Sequence, residues 1–158
     1  MPPARKIDRS ELELGKLKGS LPVVRMEGIT HVIIEPDSVF FGLKEDKVDA
    51  ENAVREWCSV LSADCLGLMF LEEIACMYKM TPLVYAPGND TVFWENSCAS
   101  GSSAVGMYLA SIKKTAGNLI LQEPGGTLRV KNDMLNGETR LYGKVRWIRD
   151  CELQYLRF

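Results

Sequence analysis

The chain has a single histidine, His31, in 158 residues, and its five cysteines, Cys58, Cys65, Cys76, Cys98 and Cys151, include no C-x-x-C pair. That scarcity argues against a Cys/His zinc site, which draws on closely spaced ligand pairs. An odd count at irregular spacing is no secreted disulfide framework either, so reduced thiols and a cytoplasmic location are expected. No apolar run approaches the roughly 20 residues that a membrane helix requires. The opening MPPARKIDRSELELGKLKG is charged and lacks an apolar h-region, so no secretory signal is expected. Excess positive charge is missing too: 19 basic against 21 acidic side chains leave a net charge of -2 and a pI near 5.5. A nucleic-acid or membrane-surface binder would carry a basic patch instead, and neither partner is expected.

What is present is the composition of one ordinary folded domain, long enough to bury a core. The first twenty residues are charged and weakly patterned, and read as a short helix or a linker limited by Gly15 and Gly19. LPVVRMEG and THVIIEPDS then read as strands separated by Gly28, and FFGLKEDKVD reads as a loop. From Asp49, a candidate N-cap, the pattern turns helical, with Ala53, Val54, Trp57, Val60 and Leu61 on one face and Cys58 packed beside them. CLGLMFLEE, IACMYKMTPLVYA and TVFWE are strand candidates, the last two joined by the turn residues Pro87-Gly88-Asn89-Asp90. A second helix begins near Ser100, with Val105, Leu109 and Ile112 on one face and a stop at Gly117. The tail is β again: NLILQE, a Pro124-Gly125-Gly126 turn, TLRVKND, TRLYGKVRWI and CELQYLRF. The fold class expected is α+β: a curved, mostly antiparallel sheet with two helices, the second of them apolar enough to be the central helix inside the curve.

One cysteine stands apart. Cys98 lies where the strand TVFWE hands over to the second helix, followed by small residues at 99 to 104. The first N–H groups of a helix lack intrahelical partners, and with the dipole they favour an anion. That anion could be the Cys98 thiolate or a bound carboxylate, whereas small residues at such a junction also suit simple packing. Glu95 ends the strand and could orient an ammonium or tune a neighbouring acid, or be a solvated strand end. His31 could handle protons or be structural. A Cys98–His31 hydrolase pair lacks a nucleophile elbow, and SCASGSSA lacks the Gly-Lys-Ser/Thr of a phosphate loop.

In order along the chain, GITH (28–31), ENSCASGSSA (95–104) and PGGTLRV (124–130), with a hairpin around LYGKVRWI, resemble the C-terminal half of the diaminopimelate epimerase fold. More narrowly, they resemble the epimerase-like amino-acid racemases, which include histidine racemases. The resemblance implies inversion at an amino-acid α-carbon without a cofactor or metal. Two cysteines, each at the N-terminus of a central helix, would face the substrate from opposite sides, one as thiolate and one as thiol. Cys98 would be one of them, Glu95 an acid near the substrate amine, and His31 a group near the catalytic pair. Asn96, Ala99, Ser100, Gly101 and Ser102 would bind the substrate, the last four as a carboxylate cradle. The family's first half carries its cysteine in a Cys-Gly-Asn-Gly-like turn, which this sequence does not contain. Residues 1–20 are therefore expected to be a leader or inter-domain linker, and 21–158 a C-terminal half-domain. That half-domain would be inactive alone and completed by an N-terminal half on the same or a separate chain, with a homodimer as a further possibility. The alternative is a non-catalytic half-domain that binds a ligand or a partner.

Overall fold

A computed structural model of the chain describes residues 4, 6–113, 118–133 and 138–144. In chain order these form β1 (Lys6–Leu14), β2 (Leu17–Arg25), β3 (Thr30–Ile34), α1 (Lys47–Val60), β4 (Leu66–Ile74), β5 (Met77–Ala86), β6 (Thr91–Trp94), α2 (Ala99–Lys113), β7 (Asn118–Glu123), β8 (Gly126–Asp133) and β9 (Glu138–Tyr142). The described strands make one sheet in the order β1-β2-β3-β4-β5-β7-β8-β9, with β6 as a further partner of β5. Of the described pairings, only β3–β4 and β5–β7 are parallel. A parallel pair needs a crossover, and α1 and α2 supply the two. The expected α+β class with a mostly antiparallel sheet and two helices is what the chain adopts.

The sheet curls. α2 packs on β8 and β9 near one end of the strand order and on β2, β3 and β4 toward the other, which a flat sheet would not allow. α1 lies on the opposite face, against β4 and β5. Strand alternation sorts the core accordingly. Val32, Ile34, Leu66, Leu68 and Phe70 pack with the α1 side, whereas Ile33, Met69, Leu71 and Met80 pack with α2. Central strands covered on both faces read as continuous apolar runs, which is why THVII and LGLMFL carry so few polar residues.

The N-cap of α1 lies three residues before the expected one: Asp46 accepts from the Asp49 N–H at 3.1 Å. Its buried stripe holds Ala50, Ala53, Val54, Trp57 and Cys58, but Val60 faces out. Trp57 donates its indole N–H to the Glu13 carbonyl at 2.7 Å and meets Phe40 edge-on, with ring centroids 4.9 Å apart. Such an aromatic pair adds about 0.5–1.5 kcal/mol beyond its area burial. α2 is buried nearly all round, as a helix inside a curled sheet must be, although Ile112 at its end is exposed rather than on the expected face. Small residues permit that enclosure. A Cβ on Gly106 would come within 2.6 Å of Val130 Cγ1.

The reading of residues 1–20 as leader or linker does not describe the chain. Residues 6–25 form a hairpin that pairs Lys6 with Arg25 through to Leu14 with Leu17. Gly15, at φ 57°, takes the left-handed conformation of its two-residue turn, so the glycine taken as a helix limit is a hairpin signal. Ser10-Glu11-Leu12-Glu13-Leu14 alternates as a half-buried strand does, with Leu12 in the core. The strand expected over 151–158, the hairpin beyond Lys144, Gly117 and Cys151 lie outside the described residues.

Candidate active site

The outer edge of β5 is shared by two strands. β6 pairs with Leu83 through Ala86, and β7 pairs with Tyr78 and Lys79. Between them, at 80–82, the chain leaving β6 turns through the opening into α2. Pro82 sits at this gap, where no ladder partner asks for its missing N–H, and its carbonyl accepts from Glu95 N–H at 3.0 Å. Sheet topology thus puts the end of β6, the start of α2 and the end of β7 in one place. Residues 95–102 and Glu123 converge there.

Cys98 is the N-cap of α2. Its carbonyl accepts the first helical bond, from Ser102 N–H at 2.9 Å, and its sulfur stands where a capping serine oxygen would, accepting from Gly101 N–H at 3.3 Å. The Ser100 hydroxyl lies 3.6 Å from the same sulfur. Both contacts favour a thiolate, but burial opposes it, and so does the Glu95 carboxylate facing the sulfur. The balance pushes the thiol up to about 12, so Cys98 rests protonated at neutral pH.

The donors of the expected cradle are unevenly committed. Gly101 N–H is used on the Cys98 sulfur and Ser102 N–H on the Cys98 carbonyl. The Ser102 hydroxyl donates to Glu123 Oε1. What the first turn leaves for a ligand are the N–H groups of Ala99 and Ser100, the first two of the helix. Asn96 is exposed, and its carbonyl accepts from Gly125 N–H at 2.6 Å. An open groove of about 750 Å³ lined by Ser97, Gly125, Arg129, Tyr142 and Lys144 runs up to this turn, although Cys98 itself does not line it.

Glu123 escaped notice in the sequence. It is buried, and its Oε2 accepts from Cys98 N–H at 2.6 Å. Burial raises its pKa, while the Ser102 hydroxyl, Cys98 N–H and Ser97 hydroxyl each hold it down. A signal was available: in NLILQE the inward positions are Leu119, Leu121 and Glu123, so the alternation puts a carboxylate on the core face.

His31 is in the core and has no hydrogen bond to the thiol. Both its ring nitrogens are buried without a hydrogen-bond partner, and desolvation drops its pKa to about 4. Its Nδ1 packs against Gly67, where a Cβ would come within 2.5 Å, and Met69 fills the space from there to Gly101 and Cys98. The expected Cys98, Glu95 and helix-turn residues are therefore brought together, whereas His31 makes no hydrogen bond to any of them. Gly67 and Met69 are further residues packed here, with Met69 lying against both Gly67 and Gly101.

A family model described as histidine racemase CntK N-terminal domain matches residues 1–147. The chain belongs to this histidine racemase family. A histidine racemase of Fusobacterium nucleatum is 32% identical over 133 residues, covering 80% of this chain and 46% of that protein. A histidine racemase of Staphylococcus aureus is 24% identical over 149 residues, covering 92% of this chain and 53% of its own length. The chain spans about half the length of the curated relatives it matches. Among solved structures, a phenazine biosynthesis PhzF-family protein of Enterococcus faecalis matches 85% of this chain and 42% of its own at 12% identity, with a TM-score of 0.42.

The match corrects the expected half. This is the N-terminal domain of the histidine racemase family, not a C-terminal one, and it includes the stretch taken as a linker. If each half presents a cysteine at the start of a central helix, that motif alone does not tell which half is in hand. Among the described residues, no group of three His, Cys, Asp or Glu side chains is placed to hold a metal ion, and no helix is long and apolar enough to cross a membrane.

Proposed function

We propose that this chain is one half of a cofactor-independent, two-cysteine amino-acid racemase acting on histidine, in which Cys98 is one of the two proton-transfer groups. The observation that carries the reading is the seat of Cys98: a buried thiol at the N-cap of α2, faced by Glu95 and flanked by N–H groups of Ala99 and Ser100 that the helix does not use. Those two N–H groups and the helix dipole suit the substrate α-carboxylate. Glu95 suits its ammonium. The choice of histidine rests on what the relatives are named.

In the reaction the Cα–H bond breaks on one face, its proton passing to a thiolate while the electron pair delocalises into the carboxylate. A thiol on the opposite face then gives its proton to Cα. Donors oriented toward the developing charge, in a site that excludes water, lower the barrier most. Cys98, held as a thiol by burial and Glu95, serves as donor in the direction for which the resting domain is set. A substrate ammonium against Glu95 offsets the charge that opposes the thiolate, so the same sulfur accepts a proton in reverse. His31 supports this site by packing.

The test mixes the chain with the complementary C-terminal domain in deuterated water with L-histidine and reads deuterium at Cα. Exchange is expected in the mixture, with loss of at least about 10³-fold in Cys98→Ser, the scale of removing a proton-transfer group. Exchange by the chain alone at the rate of the mixture would remove the two-cysteine requirement. A mixture indifferent to Cys98→Ser would remove Cys98 from the mechanism.

A further inference from the structure

The turn at 124–126 and the carboxylate before it have no role in the reaction above, yet both hold the segment that carries the thiol. Glu123 reaches from the end of β7 to Cys98 N–H with one oxygen and to the Ser102 hydroxyl with the other, so a single side chain spans the first turn of α2. Three residues downstream of Gln122, Gly125 donates to the Asn96 carbonyl at 2.6 Å, and a Cβ there would come within 2.9 Å of that oxygen. The β7–β8 turn therefore clasps residues 96–98 at two points. A buried carboxylate costs free energy unless it is well bonded, and a neutral side chain could cap a helix more cheaply. Something else is gained by having a forked acceptor here.

We propose that Glu123 is a positioning residue: with Gly125 it straps the 96–98 segment, aims the Cys98 sulfur, and leaves Ala99 and Ser100 N–H as the ligand-facing donors of the α2 turn. This rests on the racemase reading for its purpose, but not for its test. The fork matters through its span rather than its charge. An aspartate keeps the charge and is one methylene too short to reach both donors. A glutamine keeps the span and loses the charge, with the Ser102 hydroxyl turning to accept from its amide.

Iodoacetamide alkylation of the full chain, followed by mass spectrometry at each cysteine, separates these cases. Cys58, buried with its sulfur donating to the Ala63 carbonyl at 3.3 Å, reports the integrity of the fold. Glu123→Asp is expected to speed alkylation of Cys98 at least tenfold with Cys58 still protected, and Glu123→Gln to stay within about threefold of wild type. The reverse order would mean that Glu123 acts through charge and would overturn the proposal. So would wild-type rates in both variants, or a joint rise at Cys98 and Cys58, which marks a residue of the fold alone. None of these readouts needs turnover, so loss of the racemase reading and loss of the strap show up in different experiments.

Discussion

Lowering the pH from 7 to 4 puts a proton on His31 in the unfolded chain long before the fold accepts one. His31 has no exposed surface and neither ring nitrogen has a partner, so charging it in place means desolvating an imidazolium packed against Gly67. Its pKa falls from 6.5 to about 4 on folding. A depressed value leaves stability intact above the unfolded pKa, where both states are neutral, and removes it as pH falls, because the unfolded state alone gains from protonation. Worked through the binding polynomial, the loss attributable to His31 is about 2 kcal/mol at pH 5 and about 3 kcal/mol at pH 4. Against the 5–15 kcal/mol that typically holds a domain together, that is a large fraction. The assay is urea unfolding at pH 7, 5 and 4 for wild type and His31→Leu. Carboxylate titrations are common to both proteins, so they cancel in the difference of differences, as does any packing penalty of leucine. Wild type should lose about 3 kcal/mol more than the variant between pH 7 and 4. Parallel curves would show that the folded protein takes the proton without penalty, and the account of a dry, partnerless histidine would be wrong.

Two glycines test the packing around Met69. Gly67→Ala puts a Cβ within 2.5 Å of the stiff, buried His31 ring at Nδ1 and 2.8 Å from the more yielding Met69 Cε, and should cost about 1–3 kcal/mol in urea unfolding. Gly101→Ala drives into the Met69 sulfur and comes within 3.1 Å of Cys98 Sγ, so it should lower stability by a similar amount and also alter Cys98 alkylation; an unperturbed variant of either kind would contradict the packing described. Glu95→Gln removes a charge that raises the Cys98 pKa, so the pH profile of Cys98 alkylation should move to lower pH. An unshifted profile would mean that Glu95 does not face the thiol.

Local chemistry was legible where neighbours in sequence are neighbours in space. The apolar stripe of α1, the turn at Pro87-Gly88-Asn89, and the passage from the strand TVFWE through Cys98 into α2 all follow from periodicities and caps within a few residues. Cys98, Glu95 and the residues after Cys98 were therefore found together. The hairpin of β1 and β2 was present as alternation in SELEL around Gly15, yet a charged face masked it, because only Leu12 of β1 is fully in the core. That the chain matches the family's N-terminal domain was not legible from the motif around Cys98. Tertiary structure alone decided the rest. The curl of the sheet around α2 carries Glu123 to Cys98 across 25 positions, and it packs Met69 against both Gly67, beside His31, and Gly101, beside Cys98. The physical reason is that periodicity records which face a residue occupies, whereas contact across that face depends on how strands are ordered and on which glycines let them close.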